Sequence, residues 1–572
     1  MENKTVENYS RWLNSDKVSA EDKEILKNMD DETKDAAFFK DIEFGTGGLR
    51  GILGPGTNRM NYFTVKRVTV ALGIYLKEFH QHAREKGVAI SHDNRHFSRE
   101  FALECSDILN QMGIKTYLFD SLRPTPELSY AVRYKKCDAG IMITASHNPK
   151  EYNGYKVYDE TGCQMVPSKI EPLIRIINKL PNELEVEVPH DIKRGEQVIL
   201  EKEVDDTYVS LCESIQVNPY LDKKGFKIVY TPNHGTSYVN AMRVFKACGY
   251  EVYPVESQCK PDPDFSGTLS PNPEDARAFI EPIKLAKQID ADLICMTDPD
   301  GDRVGLACKN KDGEYTLITG NESAAILMDY LFSEKKKKGL LSKDGIMFNT
   351  VVTSELGKEI ATSYGIKTEQ VLTGFKYIGD RINYYEIHNG PTYEFGYEES
   401  YGCLPKAFVR DKDGIQAILL YCEMALFYHK QGLNLVDAYN NLGKRFGHHK
   451  NKLYNIYLEG SKGAQKMQEI MNRAVHDPLK QIGGKDVVKF EDYFDRKRYY
   501  TASRLIEDIQ GIPAGDLVKY YLSDNTVVCI RPSGTEPKIK FYIEVVVDDP
   551  SVAEAKCDQI YQEVLKDLEV KL

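Results

Sequence analysis

Between residues 87 and 120 apolar and polar positions follow one order. "GVAIS" is a β-branched apolar run and "HDNRH" is polar. Phe101, Cys105, Ile108, Leu109 and Met112 then recur at helical spacing before Gly113 and a second apolar run. Short apolar runs read as buried strands, and spacings of three and four read as one face of a helix. Glycine just past the last apolar position is a helix stop, because it accepts a left-handed backbone. The pattern predicts a strand, a crossover helix and a parallel strand. It recurs at 226–255, where Gly249 is the stop, and at 345–372, where Gly365 is. The three helices close on "MGIKT", "CGYEV" and "YGIKT", which read as one unit used three times.

The last part of the chain differs. "NTVVCIRPSGTEPKIKFYIEVVV" is two β-rich runs around a loop, and "PSVAEAKCDQIYQEVLKDL" is an amphipathic helix. The expected fold is therefore α/β: three related βαβ-type domains followed by a smaller C-terminal α+β domain. Polar stretches at 203–208, 310–315 and 445–455 are candidate joints, giving domains at 1–205, 206–318, 319–448 and 449–572.

A chain of 572 residues has room for several such cores. Hydrophobic residues at 41 % and charged residues at 28 % are ordinary globular usage. The net charge of -11 disfavours nucleic acid and membrane surfaces as partners, so an anionic substrate needs a local basic pocket. The polar, acidic amino terminus lacks the pattern of a signal peptide, and no 18-residue apolar span occurs, which points to a soluble, cytoplasmic protein. The twelve cysteines show no metal-ligand spacing and read as buried structural thiols. His448 and His449 read as solvent residues, and "EKKKKG" at 334–339 as a solvated helix end.

Several loops carry more chemistry than a turn needs. "TASHNP" follows the apolar run "AGIMI" and sets Ser146 and His147 on what reads as an exposed loop. "DPDGDR" follows "ADLICMT" and crowds Asp298, Asp300 and Asp302 together, which a fold tolerates mainly when a hard divalent cation sits among them. A calcium-binding EF-hand fails on detail, since Arg303 stands where that loop needs glycine and Lys309 where it needs glutamate. So few carboxylates favour magnesium, with a solvated turn as the alternative. "RPSGTEPKIK" at 531–540 offers a guanidinium, hydroxyls and backbone amides to a phosphate, or is a plain hairpin turn. "FGYEESYG" at 395–402 suits a polyol, or is an acidic turn. "GTGGLRG" at 45–51 presents Arg50 on a glycine cluster that is not a dinucleotide fingerprint.

Taken together, "EFGTGGLRG", "TASHNP", "DPDGDR", "TGFKYIGD", "EES", "VRDKDG" and "RPSGTEPK", in that order, resemble the α-D-phosphohexomutase family and within it the long phosphoglucomutase and phosphopentomutase branch. The likeness covers nearly the whole chain. It implies four domains around a central cleft and an intramolecular phosphotransferase that interconverts glucose 1-phosphate and glucose 6-phosphate. It implies a phosphoserine at Ser146, magnesium held by Ser146, Asp298, Asp300 and Asp302, and glucose 1,6-bisphosphate as intermediate and activator. By the same resemblance Lys156 and His147 would move protons, in an order left open, and Arg50 would contact phosphoryl oxygens. Arg303, Thr373, Glu398, Ser400 and Lys412 would read the sugar, and Arg531, Ser533, Gly534 and Thr535 would clamp its far phosphate. Sugar phosphates are the implied partners of a monomer or homodimer.

Alternatives are a phosphopentomutase acting on ribose or deoxyribose 1-phosphate, and a sugar-phosphate binding protein without turnover. Tyr397, where many relatives have glycine, and the aromatic positions of "TGFKYIGD" bear on the preferred sugar. A serine hydrolase is disfavoured, because neighbours on an extended loop point apart and "TASHN" is not a nucleophile elbow.

Overall fold

The computed structural model describes residues 3–45, 48–458, 460–533 and 538–570. They group into two compact units, residues 1–323 with 375–434 and residues 324–374 with 435–572.

The first unit holds two mixed sheets. In the six-stranded sheet the order is Gly48–Ile52, Tyr152–Asp159, Ala139–Ile143, Val88–His92, Thr116–Phe119 and Gln197–Leu200. In the five-stranded sheet it is Tyr315–Ile318, Val304–Lys309, Leu293–Thr297, Lys227–Thr231 and Glu251–Pro254. The inner strands Val88–His92, Ala139–Ile143 and Leu293–Thr297 are buried at every position, which is why they read as unbroken apolar runs and not as alternating ones.

The three-fold pattern is present in the backbone. Val88–His92, helix Ser98–Gln111 and Thr116–Phe119 form one parallel crossover. Lys227–Thr231, Tyr238–Ala247 and Glu251–Pro254 form the second. Gly345–Thr350, Leu356–Ser363 and Lys367–Val371, in the second unit, form the third. Gly113, Gly249 and Gly365 stop the helices at φ of 77°, 75° and 78°, the left-handed region that glycine enters without a Cβ clash.

This repetition places the chemistry. Within the first unit three strands end in a short loop and return as an antiparallel strand: Ala139–Ile143 to Tyr152–Asp159, Leu293–Thr297 to Val304–Lys309, and Thr392–Glu398 to Gly402–Leu404. "TASHNP", "DPDGDR" and "EES" are those three connections.

The second unit also contains the antiparallel sheet His448–Tyr457, Lys538–Val547, Val527–Pro532, Val518–Leu522, Lys485–Asp492, Lys497–Tyr500 and Leu505–Asp508. Helix Ala553–Asp567 packs Cys557, Ile560, Val564 and Leu565 onto its core with Ile530, Phe541 and Val545.

Three expectations change. His449 is buried, because its face of the strand meets Glu544 of the neighbouring strand at 2.8 Å. Lys335 is buried, so only Lys336 to Lys338 of the basic run are exposed. Residues 203–208 lie within helix Lys202–Glu213, where Asp205 pairs with Arg123 at 2.8 Å. Eleven of the cysteines are buried and Cys248 is half-buried. No helix among the described residues is long and apolar enough to cross a membrane.

Candidate active site

Ser146 follows the buried strand Ala139–Ile143 and is itself only 2 % exposed, against the expectation of an exposed loop. Its backbone sits at φ 53°, with its N–H donating to Thr144 Oγ1 at 2.8 Å. That left-handed turn brings Ser146 Oγ to 3.3 Å from His147 Nδ1, so the two neighbours do not point apart as an extended loop would have them. It also lets Ser146 Oγ donate to Asp298 Oδ2 at 2.6 Å.

Asp298, Asp300 and Asp302 are all buried, and one oxygen of each lies within 4.8 Å of the others. No other such trio of acidic, histidine or cysteine side chains occurs among the described residues. Gly301, at φ 71°, makes the turn that returns Asp302 toward Asp298. Asp298 Oδ1 accepts from the N–H groups of Asp302 and Arg303 at 3.1 and 3.0 Å. Burial, and then the charges of Asp300 and Asp302, push the Asp298 carboxyl well above its ordinary range, and burial with Asp300 raises Asp302. Asp300 goes the other way: burial opposes ionisation, but Lys156 Nζ at 2.8 Å outweighs it and holds the carboxyl down.

Asp300 Oδ1 and Asp302 Oδ1 are buried without a hydrogen-bond donor among the described residues. An all-oxygen cluster with self-repulsion and unused acceptors fits a hard dication that takes few protein ligands, and magnesium is such an ion.

Cations ring this acidic centre. Arg50 stands opposite Gly154 on the paired strands and donates from Nη1 to Asn148 Oδ1 at 3.0 Å. Gly48 allows this pairing, since a Cβ there would meet Tyr155 O at 1.9 Å. Lys412 Nζ lies 3.1 Å from Asp302, 3.1 Å from Asp411 and 3.8 Å from Glu398. Those carboxylates outweigh burial and hold it strongly protonated. Arg303 pairs with Glu274 at 2.8 Å. Burial, with Arg303 and Arg50, pushes the His147 imidazole well below its ordinary pKa, which favours its neutral form. Glu398 is buried, and Ser400 lies half-buried in the turn after it. The carbonyl of Tyr401 accepts from Val304 N at 2.8 Å, tying this turn to the strand that leaves the aspartate loop.

The first unit thus gathers Arg50, Ser146, His147, Lys156, the three aspartates, Arg303, Glu398, Ser400 and Lys412. Thr373, Arg531 and Ser533 belong to the second unit. Thr373 Oγ1 has no hydrogen-bond partner among the described residues, Arg531 stands opposite Lys540, and Ser533 N donates to Lys538 O at 2.8 Å. Gly534 and Thr535 lie outside the described residues.

Sequence reasoning passed over several residues. Asp411 accepts from Tyr158 Oη at 2.8 Å and from Lys412, while Thr125 Oγ1 donates to Asp300 at 3.1 Å. Lys376, in "TGFKYIGD", is buried and its pKa is pushed down to about 8 by that burial. Arg95 sits in the polar loop after the first strand of the repeat, the same kind of position that flagged the other loops.

Four family models match in order: phosphoglucomutase/phosphomannomutase alpha/beta/alpha domain I over residues 41–183, domain II over 206–313, domain III over 319–446, and the C-terminal domain over 457–560. A phosphoglucomutase of Staphylococcus epidermidis is 37 % identical over 92 % of this chain and 94 % of its own length. One of Staphylococcus aureus is 35 % identical over the same shares. Among solved structures, the phosphoglucomutase pp63/parafusin from Paramecium, in an open form, has a TM-score of 0.66 at 19 % identity, covering 92 % of this chain and 94 % of that one. A phosphoglucomutase/phosphomannomutase family protein from Burkholderia thailandensis has 0.64 at 16 %, covering 92 % and 97 %. These two share the fold. Matched by all four domain models and by relatives of this identity along nearly its full length, the chain belongs to the phosphoglucomutase/phosphomannomutase family.

Proposed function

We propose that the protein interconverts glucose 1-phosphate and glucose 6-phosphate through a phosphorylated Ser146 and a glucose 1,6-bisphosphate intermediate. The carrying observation is Ser146 Oγ at 2.6 Å from Asp298 within a buried carboxylate trio. A lone alcohol is a poor phosphoryl carrier, so alignment and charge neutralisation must supply the rate. Magnesium held by Asp298, Asp300, Asp302 and the Ser146 phosphate would supply positive charge to the phosphoryl oxygens.

The chain's own residues do the rest. In the first half the free hydroxyl of the sugar phosphate attacks phospho-Ser146: its oxygen bonds to phosphorus, the Oγ–P bond breaks, and the proton lost by the sugar hydroxyl is balanced by one taken up at Ser146 Oγ, with His147 and Lys156 as the groups that relay it. In the second half the intermediate turns round, Ser146 Oγ takes the other phosphoryl group, and the released sugar oxygen is reprotonated. Arg50 would orient phosphoryl oxygens. Arg303, Thr373, Glu398, Ser400 and Lys412 would contact sugar hydroxyls, and Arg531, Ser533, Gly534 and Thr535 the phosphate that is not reacting. We read the domains as 1–205, 206–318, 319–448 and 449–572, with the first boundary inside helix Lys202–Glu213, and the protein as a cytoplasmic monomer or homodimer.

The test is kcat/KM for glucose 1-phosphate and for ribose 1-phosphate with magnesium and glucose 1,6-bisphosphate present. Glucose is expected to win. A tenfold advantage for the pentose, or no turnover of either sugar, overturns this assignment.

A further inference from the structure

Arg95 is fully buried beneath the serine loop and holds it by its backbone. Nη2 donates to the carbonyls of Ser146 and Asn148 at 2.6 and 2.5 Å, and Nη1 to those of Pro149 and Tyr152 at 2.8 and 3.1 Å. Nε faces Asp93 Oδ2 at 3.3 Å, and neither side chain is exposed. Asp93 is itself fixed, accepting from Arg95 N at 2.9 Å and Ser98 Oγ at 2.7 Å. One planar cation therefore ties together four carbonyls across a seven-residue span whose first member is Ser146.

The guanidinium is also met by a loop that lies beyond the strand Glu251–Pro254 of the five-stranded sheet. The ring of Phe265 lies 5.1 Å from it, and Phe265 is buried at φ 53°. Its loop is held on both sides. His234 donates from Nδ1 to Lys260 O at 2.9 Å and accepts at Nε2 from Gly267 N at 3.0 Å. Asn94 Nδ2 donates to Asp262 O at 2.7 Å, and Lys150 reaches Asp264 at 3.1 Å.

Ser146 adopts a left-handed backbone that costs a non-glycine residue about 1 kcal/mol or more and persists only where its surroundings impose it. The carbonyls gripped by Arg95, of Ser146 itself and of the residues that follow it, hold the turn from its C-terminal side, while Thr144 Oγ1 holds the Ser146 N–H. A lysine cannot reproduce it, because its ammonium is a point charge and the guanidinium is a flat fork of donors.

We propose that Arg95 is a positioning residue for phosphoryl transfer, locked by Phe265, so that alignment of Ser146 depends on a loop of the second α/β domain. This rests on the mutase reading above and deepens it. Arg95 touches no substrate in this role; it acts through the geometry of Ser146.

Arg95→Lys, Arg95→Ala and Phe265→Leu test it beside the wild type. Arg95→Lys should lower kcat about 100-fold with KM changed less than about threefold, the loss expected of a misplacement near 1 Å. Its bisphosphate-dependent phosphorylation, followed by intact mass, should slow in proportion. Low-millimolar guanidinium should restore Arg95→Ala at least about tenfold, whereas methylammonium should not. If Arg95→Ala does not fold, Phe265→Leu carries the test and should lose about three- to tenfold in kcat at unchanged KM. A folded Arg95→Lys within about threefold of wild-type kcat, no guanidinium rescue of a folded Arg95→Ala, or an unaltered Phe265→Leu overturns the inference. Absence of mutase activity in the wild type would instead overturn the function on which it rests.

Discussion

Ser146 Oγ and Asp298 Oδ2, 152 residues apart in the chain, lie 2.6 Å from one another at the ends of two buried strands that occupy matching positions in two copies of one structural unit. A hydroxyl that must carry a phosphoryl group is thereby delivered to the edge of an acidic trio. Ser146→Ala should lower turnover of glucose 1-phosphate by at least about 10³-fold, because no other group can hold the phosphoryl between half-reactions. Intact mass should show a phosphoryl group on the wild type after incubation with the bisphosphate and none on the variant.

The aspartate trio should trade stability for function. Burial and mutual repulsion raise Asp298 and Asp302, so without a cation the folded state carries a strain that the unfolded chain lacks. Asp298→Asn should stabilise the magnesium-free protein by about 1–2 kcal/mol and abolish activity. Magnesium should raise the Tm of the wild type and leave that of the variant nearly unchanged. Thermal melts in chelator and in magnesium check both; a destabilised Asp298→Asn protein without metal would contradict the account.

His449 sets a pH limit on the second unit. Burial works against its charge, but Glu359 and Glu544 prevail and raise the imidazole to about 9, and Glu544 also accepts from Ser354 Oγ at 2.6 Å. A pKa raised on folding stabilises fully below the unfolded value near 6.5 and is lost as pH climbs through about 9. Stability should therefore fall by on the order of 1–3 kcal/mol between those limits, and His449→Gln should flatten the fall. Denaturant unfolding at pH 6, 7.5 and 9 measures it.

The helix stops separate backbone strain from crowding. A Cβ at Gly249 or Gly365 would meet nothing within 4 Å, whereas one at Gly113 would press on Asp191 at 2.9 Å. Gly249→Ala and Gly365→Ala should each cost about 1 kcal/mol from the left-handed backbone alone, and Gly113→Ala more. Equal losses at all three positions would show that the contact with Asp191 yields freely.

The repeated crossover units, their glycine stops and the loops at strand ends were legible because each is a local property. Helical or extended period, φ tolerance and an apolar run of strand length are written in consecutive residues. Even the departures from ordinary turn composition at 144–149 and 298–303 are local.

Three other features were decided only by packing. Which way Ser146 points followed from the grip of Arg95 on four carbonyls, where an extended loop would have sent His147 away from it. His449 and Lys335, polar residues in polar stretches, became interior because elements distant in sequence cover them. Asp298 and Asp300, two residues apart with the same side chain, came to opposite charge preferences because only Asp300 has Lys156 at 2.8 Å. Strand and helix propensity act between neighbours along the chain, and so can be read from it. Burial and Coulomb energy depend on distances between residues far apart in it, which exist only once the chain is folded.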